Sequence, residues 1–266
     1  QEFLLASKGF ACRCERCLPG AQDTSRGFRC PSAGCLGVVF AAVAGAGSAS
    51  AHGRGLAGSV CSRCGEKVPD AAAEQLLREE SWLLGQIDAW EATSPRGQLS
   101  EAEIAALVGR VERSFPQHAA AERAFGHLGA AFLAAGRLRE AEGLTERRAA
   151  FQRAAFPGRT GVHAWTLEAL ADLRLKNIGC EVSELMRKPR RDACLKPLLN
   201  DILAQRAADE ALPLYGEAEE ELRLLFGDDG AYTEGVAAKG AALRGALADV
   251  APGVLRDSAR RVGEKK

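Results

Sequence analysis

Aromatic side chains are scarce in this sequence, at 6% of residues, with only 2 tyrosines and 3 tryptophans. A sheet-rich core usually leans on aromatic and β-branched residues, so the scarcity, beside abundant alanine and 29 glycines, favours closely packed helices. An excess of either charge is also missing: 35 Lys and Arg balance 35 Asp and Glu. No basic surplus therefore draws the chain to nucleic acid or to an acidic membrane surface. Long apolar runs are absent too. The longest, Leu36 to Ala44, is far short of the roughly 20 residues a membrane helix needs. A basic-then-apolar leader is not seen, and the only methionine is Met186 in a chain that opens on Gln1. Sequence ahead of Gln1 is therefore expected.

Cysteine is what the chain does have, and it is unevenly placed. Cys12, Cys14, Cys17, Cys30, Cys35, Cys61 and Cys64 lie before residue 65, and Cys180 and Cys194 stand far downstream. Close cysteine spacing without a secretory leader points to metal in a reducing compartment, hence a cytoplasmic or nuclear protein. Structural zinc takes four tetrahedral ligands, commonly thiolates delivered in close pairs from tight turns. Cys30-x4-Cys35 and Cys61-x2-Cys64 supply two such pairs, with Pro31, Gly34 and Gly65 as turn residues. These four are expected to form a zinc ribbon over residues 21–69. Short strands should flank its first knuckle, one around Phe28 and one from Leu36 to Phe40. The alternative, four reduced thiols in a loop-rich segment, leaves too little apolar sequence to fold without a staple.

Cys12-x-Cys14-x2-Cys17 packs three ligands into six residues. Two zinc sites need eight ligands and the region offers seven cysteines. His52 lies alone in an Ala/Gly/Ser loop, so the missing ligand is expected from sequence ahead of Gln1. Cys180 and Cys194 read as plain thiols.

From Pro69 onward the periodicity is helical. Leu76, Leu83, Ile87 and Trp90 fall on one face, and Ser100 followed by Glu101 and Glu103 reads as an N-cap with an acidic first turn. Further helices are expected over 118–135, 138–155, 161–177, 208–226 and 231–249. Phe125, Leu128, Gly129, Phe132, Gly136 and Ala141 follow the spacing of a tetratricopeptide repeat, in which small residues let helices approach and large ones fill the groove. Glu140-Ala141 with Phe156 recurs as Glu210-Ala211 with Phe226, an offset of 70 that an insertion over about 179–206 would inflate. The basic run Arg187 to Arg191 inside that insertion reads as a solvated loop or an import signal. The expected fold is mostly α: a small zinc-bound module followed by a tetratricopeptide-like helical-repeat domain over 70–266.

The segment "FACRCERC", Phe10 to Cys17, resembles the post-SET cysteine motif of SET-domain lysine methyltransferases, which places that motif at residues 1–20. The segment "GRLREAEGLTERRAAFQRAAFPG", Gly136 to Gly158, is similar to the helical C-terminal domain of the SET-and-MYND (SMYD) family. A ribbon between the two resembles an elaboration seen in some SMYD-like members. The resemblance spans about 200 residues and rests on the order of the three pieces. It implies a protein-lysine methyltransferase that uses S-adenosylmethionine, with an upstream SET core supplying the fourth ligand for Cys12, Cys14 and Cys17. Phe10 matches the family's aromatic that packs on the cofactor's adenine, or is an ordinary residue of the knuckle core. Lys8 stands where the family often has a channel-lining tyrosine. The Gly-x-Gly cofactor loop, the MYND cluster and the active-site tyrosine are absent from these residues, so the chain alone is expected to be inert. A protein substrate or partner peptide is expected on the helical face. The alternative reading is a non-enzymatic adaptor built from the ribbon and the helical repeats.

Overall fold

The computed structural model describes residues 21–42, 55–93, 99–156, 158, 160–181, 186–187 and 201–263, with side chains as far as Ala248. Phe10, Cys12, Cys14, Cys17, His52, Cys194 and residues 188–191 of the basic run lie outside the described residues. The protein is mostly helical with a small three-stranded sheet. It divides into two compact units, residues 1–135 with 150–157, and residues 136–149 with 158–266.

The first unit begins with the expected hairpin. Strand β1 (Gln22–Arg29) pairs antiparallel with β2 (Val38–Ala42), in the register Gly27–Phe40, Phe28–Val39 and Arg29–Val38. A third strand, β3 (Gln117–His118), adds to the free edge of β1 opposite Arg26 and Gly27. Two residues before a helix carry no alternation pattern, so this strand is invisible to periodicity. Gly27 is required at the crossing: a methyl group there would stand 2.7 Å from Val38 and 2.9 Å from the Gln117 carbonyl.

Helix α1 (Asp70–Thr93) buries Leu83, Ile87 and Trp90 and half-buries Leu76, the face read from the spacing, and it also buries Ala73. Helix α2 (Glu101–Ser114) starts at a capping box. The Ser100 hydroxyl accepts from the Glu103 amide, and the Glu103 carboxylate accepts from the Ser100 amide. Helix α3 (Ala119–Ala134) buries Phe125, Leu128, Gly129 and Phe132, four residues of the repeat-like signature. Gly136, a fifth, takes φ 73° just past the helix end, a conformation glycine adopts without strain.

Helix α4 (Leu138–Ala155) runs as expected. Its first part belongs to the second unit, with α5 (Gly161–Asn177), α6 (Ile202–Phe226) and α7 (Ala231–Gly263). The core of that unit is lined by small side chains: Ala149, Ala164, Ala171, Ala208, Ala211, Ala218 and Ala246. Leu167, Leu175, Leu222, Leu243 and Tyr215 fill the gaps between them. Alanine at the contact lets helix axes approach, which is the packing that the composition foreshadowed. Ala141 and Ala211 are both buried, and Phe156 and Phe226 each stand at a helix C-terminus. Cys180 is fully buried in this core, as a plain thiol would be.

Charged groups tie the helices of the second unit together. The Arg174 guanidinium reaches Glu142 and Glu146 of α4 and the Glu210 carbonyl of α6. Lys239 of α7 donates to Glu168 and Asp172 of α5, and the Tyr215 hydroxyl donates to Asp172 at 2.5 Å.

Candidate metal centre

Cys30 closes β1 and Cys35 lies in the turn before β2, so the β1–β2 hairpin carries the first pair at its tip. The second pair sits on a small hairpin closed by a Val60–Lys67 bridge. The amide of Ser62 donates to the Val38 carbonyl, and the Val38 amide donates to the Ser62 hydroxyl at 3.3 Å, which binds the two hairpins together.

This arrangement gathers four sulfurs. Cys30 Sγ lies 3.7 Å from Cys64 Sγ, and Cys35 Sγ lies 3.8 Å from Cys61 Sγ. All four fall within 4.8 Å of one another. A disulfide requires sulfurs about 2.05 Å apart, so none of these is bonded. A tetrahedral ion with metal–sulfur bonds of about 2.3 Å places its ligands about 3.8 Å apart, which matches both measured pairs. The residues fit the group: the four cysteines are placed to bind a metal ion.

The backbone is shaped to receive thiolates. The Gly37 amide donates to Cys35 Sγ at 3.3 Å, and the Arg63 amide donates to Cys61 Sγ at 3.4 Å. The two knuckles are thus built alike, each with an amide two residues past a cysteine turned back onto its sulfur. Gly34 and Gly65 take φ of 73° and 75° beside the pairs. Amides of Cys64 and Arg63 pull the Cys61 thiol down to about 6, against a contrary push from desolvation. At Cys35 the Gly37 amide pulls down, but desolvation and the other three sulfurs push the thiol up to about 11. A bound cation stabilises a full set of four thiolates.

A polar cluster behind the ribbon was not foreseen. Arg26 of β1 grips Glu80 of α1 through two hydrogen bonds of 2.7 and 2.6 Å. His118 of β3 contacts the same carboxylate through Nε2 at 3.1 Å, while its Nδ1 accepts the Ala120 amide and caps α3. Because Nδ1 accepts, Nε2 carries the proton and donates to Glu80. Glu80 and His118 are each 4% exposed. Burial pushes the Glu80 carboxyl up, but the hydrogen bonds from Arg26 and His118 hold it down to about 2. Phe28 covers the group, edge-on to the His118 ring at 4.9 Å and tilted against Phe115 at 5.9 Å. The available signal was one interruption: Glu80 falls on the helix face of Leu76, Leu83 and Ile87, where an acid is out of place.

Of the seven cysteines proposed as ligands, the structure brings together Cys30, Cys35, Cys61 and Cys64. The triplet Cys12, Cys14 and Cys17 and the cofactor-contact candidate Phe10 are outside the described residues. No helix among the described residues is long and apolar enough to cross a membrane. No protein-family model and no curated protein sequence matches the chain.

Proposed function

We propose that the chain is the C-terminal portion of a SET-type protein-lysine N-methyltransferase of the SMYD-like kind, with a structural zinc ion in the four-cysteine site. The observation that carries the reading is an order along the chain. The Cys12-x-Cys14-x2-Cys17 triplet is followed at once by two hairpins with sulfurs at tetrahedral spacing, and then by helices.

Zinc is the ion that four thiolates in a closed, hairpin-borne set favour, and its role there is to hold the hairpins. S-adenosylmethionine, when bound to the complete protein, supplies a sulfonium methyl group to a lysine amine. In this reading Phe10 covers the adenine, and Cys12, Cys14 and Cys17 close the lysine channel with a cysteine of the upstream core. The helices form the wall that a protein substrate meets. Positioning and exclusion of water carry such a transfer, so the 266 residues by themselves are inert.

The test is methyl transfer from labelled S-adenosylmethionine to protein, comparing the chain alone with the chain extended upstream of Gln1. Transfer by the extended protein only, weakened by Phe10→Ala, is the expected result. Transfer by the 266 residues alone, or no cofactor binding by the extended protein, overturns it.

A second reading, a non-enzymatic adaptor, has its own support. Trp165, Phe226 and Tyr232 lie within 6.5 Å of one another on the second unit and are 42%, 48% and 61% exposed. An exposed aromatic group of this size suits the apolar anchors of a partner segment. Substituting Trp165 and Tyr232 by serine separates the readings: an adaptor loses its partner, whereas cofactor binding by the extended enzyme is unchanged.

A further inference from the structure

The second unit holds another group of metal-ligating side chains, unrelated to the cysteines. Glu217 and Glu221 are four residues apart on α6, so they project from one helix face a single turn apart. His163 stands in the first turn of α5, where its amide donates to the capping Thr160 hydroxyl at 3.1 Å. Its ring Nδ1 lies 2.8 Å from Glu221 Oε1. One ligand atom from each of the three residues falls within 4.8 Å of the others.

Two observations set this group apart from an ordinary buried ion pair. The first is the burial of unpartnered atoms. His163 and Glu221 are 4% and 6% exposed, and His163 Nε2 and Glu221 Oε2 are fully buried with no hydrogen-bond partner among the described residues. Native proteins rarely leave a buried imidazole nitrogen and a buried carboxylate oxygen unmatched within one residue pair. The second is that Glu217 brings another carboxylate to the same helix face one turn away, with an oxygen within 4.8 Å of the ligand atoms of both His163 and Glu221.

We propose that His163, Glu217 and Glu221 form a binding site for a divalent transition-metal ion of the zinc class. Two carboxylates and an imidazole supply the negative charge and the donor atoms that a divalent ion takes. One nitrogen and two oxygens suit such an ion, with a further coordination position for solvent. With metal–ligand bonds of about 2.0–2.1 Å, neighbouring ligand atoms stand about 2.9 Å apart in an octahedral set and about 3.3 Å in a tetrahedral one. The Nδ1–Oε1 separation of 2.8 Å is close to the lower of these values, so Nδ1 and the Glu221 carboxylate, with its unmatched Oε2, are the ligand atoms. The site lies between α5 and α6, so the ion would pin the start of one helix to the last turns of the other. It requires neither the four-cysteine site nor the methyltransferase reading.

Cobalt(II) titration of the full chain tests the proposal, beside His163→Gln and Glu217→Gln, with circular dichroism as the check on folding. Glu217 is only partly buried, so its variant keeps the test valid if the His163 variant unfolds. Wild type should bind one more cobalt per chain than either variant, or bind it at least about tenfold more tightly. The wild-type-minus-variant spectrum should show weak d–d bands without thiolate charge transfer. The same stoichiometry, affinity and spectrum in wild type and in folded Glu217→Gln would overturn it, and would leave His163 and Glu221 as a hydrogen-bonded pair.

Discussion

Gly37 lies so close to Cys61 that a methyl group in place of its hydrogen would stand 2.4 Å from the sulfur and 2.8 Å from Arg63 Cβ. The backbone of one hairpin thus rests directly on a ligand carried by the other. The close approach brings the two cysteine pairs to bonding distance of a single ion.

Gly37→Ala should therefore separate the pairs without touching a ligand. Chelator competition is expected to show metal held at least about tenfold more weakly than in wild type. The helical circular dichroism should be nearly unchanged. Equal affinity in the two proteins would mean that the hairpins are not fixed by this contact.

Glu80 ties the ribbon's strand to α1 and β3. Glu80→Gln takes from the half-buried Arg26 the carboxylate that grips it, a change that should cost about 2 kcal/mol near pH 7 by denaturant unfolding. The pH dependence has a definite sign. The folded carboxyl is held at about 2 against an ordinary 4.5, so its stabilisation is present above pH 4.5 and is lost as pH falls towards 2. Wild type should lose stability across that window more steeply than the glutamine variant. Parallel curves would contradict the buried pairing.

Tyr215 is fully buried, and its hydroxyl donates to Asp172. Burial and then the Asp172 charge push the phenol well above its ordinary value of 10. The neutral form is the one the fold keeps, so this contribution is present below pH 10 and is lost as pH rises beyond it. Tyr215→Phe should cost about 1 kcal/mol at neutral pH, because Asp172 retains Lys239. It should also leave the ultraviolet signal of phenol ionisation unchanged while the protein stays folded. A smaller ionisation signal in the folded variant would place Tyr215 in contact with solvent.

Metal removal tests how the ribbon is held. Phe28 packs on Phe115 and His118, so the ribbon shares a core with helices of its own unit. A chelator should release the amides of residues 55–68 to hydrogen exchange and loosen β1 and β3. Helices α5 and α6, in the other unit, should keep their protection. Simultaneous loss of protection in α5 and α6 would show that the metal governs the whole chain.

The sequence revealed most where the physics is local. Turn residues around Cys30, Cys35, Cys61 and Cys64 announced two knuckles, and the structure joins them. Ser100 with Glu103 announced a helix start, and the spacing of Leu83, Ile87 and Trp90 announced the buried face of α1. Groupings across long separations were not legible. Arg26, Glu80 and His118 come from three elements, and nothing near any one of them names the other two. The same holds for His163, which stands 58 residues from Glu221. Strand β3 escaped because two residues have no period; pairing with β1 creates it.

Residue-resolved thiol alkylation, read by mass spectrometry with and without a strong chelator, addresses the four-cysteine metal site most directly. Cys64 is exposed, so only a bound ion can shield it from a small alkylating reagent. Protection of Cys30, Cys35, Cys61 and Cys64 in the metal-loaded protein, lost together on chelation, is the predicted result. Alkylation of Cys64 at the same rate before and after chelation would contradict the site.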